Sequence, residues 1–403
     1  MAQTAVWNNV WLRILLVLLL AFAAMNAHAA QSDPPAHTPH LLLTPQLLRR
    51  LQRDRDRQTP RWVNFDNRVE STPDSSERGF ELALYYAVTN DQTRGREAVD
   101  WALLHPCSAR QVALILDWCW NLFSEDERRK LTDETCAASS SNPAQAARDA
   151  YFWALSRERD ATTDQWSSVL PWLETGNLDG QTLYAACEYI MAVRANEHED
   201  VRREARAFFS VLPAEFLLRL NADEIAHPGW MTHLAAFALV AVDPNLEGSQ
   251  YLQSWAMEDS QTLRDGPGVA YEFLWANPYL PGLGYQNLET WVYDPNGRLF
   301  ARTSWDADAC RIALSAGAAH AENCRSGWDQ TPQKFGHLAL IPVTAACAEV
   351  TQRAQNETVI LWRLNPQEAL SYRENNKNES IHADTAGILR LNRDIQGKIC
   401  RSR

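Results

Sequence analysis

The chain has 403 residues, 46% hydrophobic and 22% charged, a balance that is typical of globular proteins and excludes a disordered or collagen-like chain. Its 38 basic and 50 acidic side chains give a formal net charge of −12. Because nucleic-acid binding needs a basic face, this balance argues against a nucleic-acid partner. The length leaves room for two or three domains. The 16 Trp supply flat rings suited to a core or to stacking on sugars.

The N-terminal segment has the pattern of a secretory signal peptide. Arg13 precedes an apolar run over residues 14–24, which is too short to span a bilayer. The segment Ala27–Ala29 fits the small-x-small cleavage pattern. We therefore predict a signal peptide over residues 1–29 and a periplasmic or secreted mature chain. An uncleaved N-terminal anchor is the alternative. No later stretch approaches the ~18 apolar residues of a membrane span, so we expect none after cleavage.

Export changes the interpretation of the eight cysteines, because an oxidising compartment favours disulfides. Four lie before residue 200 and four after residue 300, so pairing within each half leaves three connectivities per half open. Buried free thiols are the alternative. The spacing contains no C-x-x-C pair, which argues against zinc. The sequence also lacks a Walker A or G-x-G-x-x-G motif. We therefore expect neither metal nor cofactor.

Residues 41–265 show the apolar periodicity of helices. One helix face is formed by residues at i, i+3, i+4, i+7 and i+8 spacing, for example by Phe80, Ala83, Leu84, Ala87 and Val88. Turn-forming residues interrupt the pattern at short intervals. We therefore predict about ten to twelve helices of modest length, joined by short loops into antiparallel hairpins.

The pattern changes after residue 265. A stretch dense in Gly, Pro and aromatic residues is followed by short β-prone runs, which predict strands at Leu299–Thr303, Cys310–Leu314, Val359–Leu364, Ala369–Arg373 and Gly387–Leu391. The segment Asp294–Gly297 predicts a turn, because Pro sets φ and Asn-Gly accepts a left-handed conformation. We therefore predict a mainly α protein with a C-terminal β part. The helical domain covers residues 38–290, and a small antiparallel β-sandwich covers residues 291–403.

Three segments carry a resemblance to a known family. The segment His40–Pro45 with the Leu- and Arg-rich stretch after it, the segment Asp117–Phe123, and the segment Gly297–Asp306 with its R-S-x-W-like pattern are the matching parts. They resemble the opening segment, a helix and the first sandwich strand of the heparinase II/III-like polysaccharide lyases. In layout the similarity covers most of residues 38–315. The resemblance implies an incomplete (α/α) toroid of helix hairpins before the β-sandwich.

The resemblance also implies an activity, the cleavage of uronate-containing glycans by β-elimination. A cation or amide neutralises the uronate carboxylate, a base removes the C5 proton, and an acid protonates the leaving oxygen. In the family an Asp-Gly pair often precedes a catalytic Tyr, and Asp265-Gly266 with Tyr271 is similar. We therefore predict Tyr271 as the base, with a nearby cation lowering its reference pKa of ~10. His227 is predicted to neutralise the carboxylate.

A sugar cleft is predicted where the helical region meets the β region, because Gly-rich aromatic loops at domain junctions suit such clefts. The predicted substrate-binding residues are Arg264, Trp275, Asn277, Tyr279 and Tyr285. The alternative is that the aromatic residues pack the two domains together and that Arg264 forms a structural salt bridge. The expected partner is a polysaccharide or oligosaccharide. The oligomeric state stays open.

Two other function classes also remain open. Toroids support inverting glycoside hydrolases, which need two carboxylates about 6.5–9.5 Å apart. The candidates are Glu258, Asp259, Asp265 and Glu272, although charge on a solvated helix face explains them too. A non-catalytic carbohydrate-binding or scaffold relative is the third reading. His233 shares a face with Trp230 and Phe237 and is predicted to be a hydrogen-bonded core histidine.

Overall fold

The computed structural model describes residues 41–71, 75–133, 140–157, 162–258, 266, 268–315, 318–331 and 333–342, together with six strands between residues 347 and 402. The predicted signal peptide and the predicted sugar-binding residue Arg264 lie outside the described residues. The same holds for two of the candidate hydrolase carboxylates, Asp259 and Asp265.

The mainly helical character predicted for the first part of the chain is confirmed. Within the described residues, fourteen α-helices precede the first strand: α1 Pro45–Asp56, α2 Pro60–Ser71, α3 Arg78–Thr89, α4 Gln92–Leu104, α5 Ala109–Trp118, α6 Glu125–Asp133, α7 Pro143–Leu155, α8 Trp166–Glu174, α9 Gly180–Glu197, α10 Arg206–Arg219, α11 Ala222–Ala226, α12 Trp230–Val242, α13 Glu247–Ala256 and α14 Gly268–Trp275. The number exceeds the predicted ten to twelve, and α11 has only five residues. None of the described helices is both long enough and apolar enough to cross a membrane.

Polar residues just before the helices set several of their starts. Backbone N–H groups of the first turn donate to the side chains of Thr44, Asp91, Asn142 and Asp179, which precede α1, α4, α7 and α9. Such a cap satisfies amides that have no partner inside the helix, and it stabilises a helix by about 1 kcal/mol. The first residue of both α1 and α7 is Pro, which has no N–H to leave unpaired. The short polar loops therefore fix where these helices begin.

The last helix, α14, packs against α2 and α12 and returns the chain to its early part. The rings of Phe65 in α2 and Phe273 in α14 stack with their centroids 5.0 Å apart. Trp62 lies against the same Phe273 ring at 5.5 Å. Arg50 in α1 also donates a hydrogen bond to the backbone oxygen of Leu274. These contacts bring α14 next to helices that precede it by about two hundred residues.

Twelve strands follow in the described residues: β1 Trp291–Tyr293, β2 Leu299–Arg302, β3 Arg311–Ser315, β4 Ala318–Glu322, β5 Gln333–Phe335, β6 Leu338–Pro342, β7 Cys347–Val350, β8 Thr358–Leu364, β9 Ala369–Glu374, β10 Lys377–His382, β11 Gly387–Leu391 and β12 Gly397–Ser402. They form sheet A in the order β1-β2-β3-β4, sheet B in the order β11-β8-β6-β5 and sheet C in the order β10-β9-β12-β7. Apart from the parallel pair of β6 and β8, these strand pairs are antiparallel. The five predicted strands match β2, β3, β8, β9 and β11 within one residue at each end.

The predicted turn at Asp294–Gly297 connects β1 to β2. The backbone N–H of Asp294 donates to the Arg298 oxygen at 2.9 Å. The Asp294 carboxylate accepts from the Arg298 N–H, also at 2.9 Å. Gly297 has a φ of 83°, a left-handed conformation that an L side chain rarely adopts.

Sheet A lies between the helices and sheet B. Alternate residues of a strand point to opposite faces. Leu299 and Ala301 share one buried apolar cluster with Leu340 and Trp362 of sheet B. Phe300, between them in β2, packs instead against the helical core. The face of sheet A that carries Phe300 is therefore the one that meets the helices.

The disulfide prediction is confirmed for part of the cysteines. Cys310 and Cys324 form a disulfide within the C-terminal half. Cys107 is disulfide-bonded as well. Cys119 and Cys187 are free and buried, and burial raises the pKa of both thiols. The alternative of buried free thiols therefore holds for Cys119 and Cys187.

Candidate functional site

A cavity of about 570 Å³, the helical cavity, opens where the first turns of several helices meet. Its wall is formed by residues at or near the starts of α5, α7, α9, α12 and α14, and by the residue before α3. The charged and aromatic side chains of this wall are those of Glu77, Arg110, Arg148, Asp149, Tyr184, Trp230 and Tyr271. A helix N-terminus carries a partial positive charge and unpaired N–H groups. The backbone therefore makes this region favourable for a negatively charged group.

Tyr271 is the predicted site residue that lies in the helical cavity. Its hydroxyl donates to Oε2 of Glu77 at 2.5 Å and accepts from Nη1 of Arg110 at 2.9 Å. Arg110 and Glu77 also form an ion pair of 3.6 Å. The Tyr271 ring stacks on Phe80 with centroids 4.5 Å apart. The phenol oxygen is thus held between a cation and a carboxylate.

A buried carboxylate, Glu188 in α9, anchors the arginines of the helical cavity. Its oxygens accept from Nε and Nη2 of Arg110 at 2.8 and 2.6 Å and from Nη1 of Arg148 at 3.1 Å. Burial alone raises the pKa of Glu188, but the two guanidinium groups and the Tyr184 hydroxyl overcome it, so its pKa lies below the usual value. Arg148 also pairs with Asp149 at 2.8 Å. Both arginines therefore have fixed orientations.

Trp275, a predicted substrate-binding residue, lies behind the cavity wall. Its indole N–H donates to the Tyr184 hydroxyl at 3.1 Å, and that hydroxyl donates in turn to Glu188. Trp275 is only 6% exposed and is not part of the cavity wall. The ring therefore supports Tyr184, which itself lines the cavity.

Protonation at this site is set mainly by burial. Burial raises the pKa of Tyr271 well above the usual value, Arg110 opposes this rise, and Glu77 adds to it. The pKa of Tyr184 is likewise raised well above its usual value, by burial and then by Glu188. At neutral pH both phenols therefore keep their protons in the free protein. Tyr271 is therefore a proton donor in the free protein, and in the absence of a ligand its hydroxyl donates to Glu77.

Trp230 provides an exposed aromatic face beside the phenol. It is 40% exposed, although its ring is large and apolar. Its centroid lies 6.1 Å from that of Tyr271, and the two rings are inclined by 30°. An exposed Trp at the edge of a polar cavity is suited to stacking on the apolar face of a sugar ring.

The remaining predicted site residues lie outside the wall of the helical cavity. His227 is exposed and directly follows α11. Tyr279 is exposed and its hydroxyl donates to Asp54 at 3.3 Å, while the half-buried Asn277 accepts from the Tyr279 backbone N–H at 3.2 Å. Tyr285 packs edge-on against Trp305 with centroids 5.3 Å apart. Their proposed contacts with a sugar stay predictions.

Two of the remaining groups singled out from the sequence have structural partners. His233 is fully buried, its Nε2 lies 2.8 Å from the Ala256 oxygen, and burial lowers its pKa to about 4. The prediction of a hydrogen-bonded core histidine is confirmed. The candidate carboxylate Glu272 is buried and lies 3.4 Å from Nε of Arg61. Glu258 is not part of the cavity wall.

Sequence reasoning missed most of the charged groups of the site. Glu77, Arg110, Arg148, Asp149 and Glu188 were not among the candidates. A usable signal was present at Glu188, which stands within an otherwise apolar stretch of α9. A charge at such a position is almost never buried unless it is paired. Arg110 lies beside Ser108 and Gln111 at the start of α5 and carries no such signal.

Within the described residues, no group of three or more His, Cys, Asp or Glu side chains is arranged to hold a metal ion. A comparison of the sequence with protein-family models gives no match, and a comparison with curated proteins gives no significant relative.

Proposed function

We propose that this protein processes a polysaccharide in the helical cavity, by β-elimination on a uronate-containing glycan, with Tyr271 transferring the proton. One observation carries the proposal. Tyr271 lines the cavity although it is only 3% exposed, and its hydroxyl lies within hydrogen-bond distance of both a cation, Arg110, and a proton acceptor, Glu77. These are the groups that a phenol needs to exchange a proton with a substrate.

Glu77 explains how a protonated phenol can serve as a base. As the Tyr271 oxygen takes the proton from C5, its own proton moves to the Glu77 carboxylate. The positive charge of Arg110 stabilises negative charge that develops on the phenol oxygen. Tyr271 then protonates the leaving glycosidic oxygen, and Glu77 returns its proton to Tyr271. The cycle therefore ends with both groups in their initial state.

The uronate carboxylate also needs a favourable position. The starts of five helices and the N-cap residue of α3 line the helical cavity, so that the partial positive charges of helix N-termini lie around it. At α7 and α9 the first-turn amides already donate to Asn142 and Asp179, which leaves the helix dipole as the contribution of these two starts. Arg110 and Arg148 add two fixed guanidinium groups. Trp230 supplies the stacking face for the sugar ring.

The detailed architecture and the family are part of the same proposal. We propose that the helices form an incomplete (α/α) toroid, that the strands form a small β-sandwich, and that the protein is exported and related to the heparinase II/III-like lyases. The packing of α14 on α2 supports the toroid, because it brings the end of the helical region back to its beginning. The shared apolar cluster of sheets A and B supports the sandwich.

A second candidate function is the hydrolysis of a neutral glycan by paired carboxylates. Two carboxylates, Glu77 and Asp149, line the helical cavity. With Glu188 they outnumber Arg110 and Arg148 by one charge, which disfavours an anionic ligand. We therefore keep hydrolysis as the alternative, with these residues in place of the candidates from the sequence.

The purified protein is incubated with a panel of uronate polysaccharides and of neutral glycans. We expect an increase in ultraviolet absorbance from the unsaturated product of a uronate substrate. Reducing ends released from a neutral glycan, with no such absorbance on any uronate, would establish the hydrolase instead. Binding without any product would identify a carbohydrate-binding relative and rule out both reactions.

The variant Tyr271→Phe tests the assignment of the proton-transferring group. Removal of one acid–base group costs roughly 10²–10⁴-fold in rate, so we expect at least a hundredfold loss of kcat. Tyr251→Phe is the matched control, because Tyr251 lies outside the helical cavity and its hydroxyl donates to Glu247 within α13. Full activity of the Tyr271 variant would overturn the assignment.

A further inference from the structure

A second cavity, of about 240 Å³, lies between the end of α10 and the face of sheet A that meets the helices. We call it the junction cavity. Its wall includes Arg219 from α10, Glu224 from α11, and Phe300, Arg311, His320 and Glu322 from β2, β3 and β4. The His320 side chain is 74% exposed, so the cavity opens to solvent at this residue. The volume suits a small ion or one sugar unit.

Arg311 is fixed by two hydrogen bonds and has one N–H donor that is not used. Its Nη1 pairs with Glu322 at 2.5 Å, and its Nη2 donates to the backbone oxygen of Arg219 at 2.7 Å. The Nε atom is buried and has no hydrogen-bond partner among the described residues. Arg311 therefore lines the cavity with a fixed guanidinium whose buried Nε–H is unused.

Arg219 supplies a second cation with weak compensation. Its Nη1 lies 3.9 Å from Glu215, at the outer limit of an ion pair, and its guanidinium lies 5.6 Å from the centre of the Phe300 ring. Burial lowers the pKa of Arg219, which reports the cost of holding this charge away from water.

A third arginine, Arg302, lies on β2 next to Arg311 and is not part of the cavity wall. It pairs in register with Arg311 on the neighbouring strand, so both side chains project from the same face of sheet A. Arg302 is fully buried, and within the described part of the chain neither of its Nη atoms has a hydrogen-bond partner. Like charges directly opposite each other destabilise a sheet. An anion nearby would offset this repulsion.

The carboxylates of the cavity wall are already engaged. Glu322 binds Arg311 and also lies 3.2 Å from Nε2 of His320. Glu224 accepts the backbone N–H of Asn221 at 2.8 Å and completes a capping box. The unused hydrogen-bonding capacity of Arg311 and Arg302 therefore consists of N–H donors, which call for an acceptor.

We propose that the junction cavity binds a small oxyanion, carried either by a free inorganic ion or by the carboxylate of an acidic sugar. Arg219 and Arg311 contact the oxyanion, and Arg302, next to Arg311, strengthens the positive potential around them. Guanidinium groups suit oxyanions because their N–H donors form charge-assisted hydrogen bonds. Arg311 has one unused donor, Nε, because its Nη1 and Nη2 atoms are already bonded. The site is independent of the function proposed for the helical cavity.

The test measures thermal stability of the full chain against low concentrations of three probes: sulfate, glucuronate and glucose. Ionic strength is held constant with chloride. A ligand that binds the folded state raises the melting temperature and saturates, whereas the general stabilising effect of sulfate keeps rising with concentration. We expect a saturable rise with sulfate, glucuronate or both, and none with glucose. A response to glucuronate alone identifies the sugar-borne anion, and a response to sulfate alone the free ion.

Arg219→Gln removes one proposed contact and leaves the structural bonds of Arg311 in place. Loss of a charge-assisted hydrogen bond weakens binding roughly tenfold or more, and we expect that shift in the midpoint of the response. Arg129→Gln is the control for removal of one charge, because Arg129 is exposed and far along the chain in α6. No saturable response in the wild-type protein, or an unchanged midpoint in Arg219→Gln, would overturn the proposal.

Discussion

Glu188 beneath the helical cavity accepts hydrogen bonds from two arginines and a tyrosine. Glu215, at the junction with sheet A, also has two arginines near it, but at ion-pair distance without hydrogen bonds. Among the described residues, neither oxygen of Glu215 has a hydrogen-bond partner, and its ion pairs with Arg298 and Arg219 measure 3.3 and 3.9 Å. Both carboxylates are fully buried.

The two environments give the two carboxylates opposite protonation behaviour. Well-directed donors hold the pKa of Glu188 below its usual value in spite of its burial. At Glu215 burial dominates, Arg298 compensates only in part, the neighbouring Asp294 carboxylate adds to the rise, and the pKa reaches about 7. Nearby cations alone therefore do not keep a buried carboxylate ionised, because the geometry of their hydrogen bonds and the presence of other carboxylates also count.

The largest expected effect follows from breaking the well-bonded cluster. Glu188→Gln keeps the shape of the side chain but leaves Arg110 and Arg148 buried without their main counter-charge. We expect the free energy of unfolding, measured by urea denaturation, to fall by about 3 kcal/mol or more. Glu125→Gln at an exposed position of α6 is the control and should change little. A loss below about 1 kcal/mol would contradict the importance given to this cluster.

The junction carboxylate predicts a pH dependence. Because the pKa of Glu215 is about 7 in the folded protein and lower when unfolded, the folded state binds the proton more tightly. Its contribution to stability is therefore greatest at low pH and declines as the pH rises to about 7, by at most about 1.4 kcal/mol per pH unit. His233, with its pKa lowered from 6.5 to about 4, acts in the opposite direction between about pH 4 and pH 6.5, which covers most of this range.

Glu215→Gln separates the two contributions. Between about pH 5 and pH 7 the variant should become more stable relative to the wild type, as measured by the difference in unfolding free energy. Above about pH 7 this difference should stay constant. His233 is present in both proteins and cancels in this difference. A difference that is independent of pH would show that Glu215 does not titrate in this range.

A smaller effect is expected at Arg302, which like Glu215 is buried with atoms that lack hydrogen-bond partners among the described residues. Neither Nη atom of Arg302 has a hydrogen-bond partner among the described residues, although its Nε donates to the Ser304 oxygen at 2.7 Å and its guanidinium lies 4.4 Å from the centre of the Trp305 ring. Replacement by an apolar side chain of similar length removes the desolvation cost of the charge and also these two contacts. In a buffer without oxyanions we expect the desolvation cost to be the larger, so that Arg302→Met raises the stability by about 1 kcal/mol. Thermal unfolding followed by circular dichroism measures the change. A marked loss of stability would show that the contacts with Ser304 and Trp305 outweigh the desolvation cost.

The smallest effect on folding is expected at Trp230, on the rim of the helical cavity. Because the ring is 40% exposed, Trp230→Ala should change the unfolding free energy far less than burial of a whole Trp would imply. Glycan affinity, measured by titration calorimetry, should nevertheless fall, since the stacking face is lost. Unchanged affinity would exclude Trp230 from the binding surface.

Local signals allowed the sequence to predict much of the fold. The turn at Asp294–Gly297 and the five matched strands depend on neighbouring residues, as do the helix periods. The candidate site depends on which helix starts converge, and no spacing along the chain reveals that. Tyr271 was found through its Asp-Gly context, whereas its partners Glu77 and Arg110 lie in distant segments.

The bond between Tyr271 and Glu77 joins residues that are 194 positions apart. Contacts between such distant parts of a chain form late, because a long loop must be closed before they stabilise anything. Helices α3 to α12 can pair with their neighbours beforehand, but the pocket stays incomplete until α14 docks. A chain emerging slowly from a ribosome therefore gains the bond between Tyr271 and Glu77 only in the last stage of assembling the helical region. Until then the surface of α2 that α14 later covers stays exposed to proteases and chaperones.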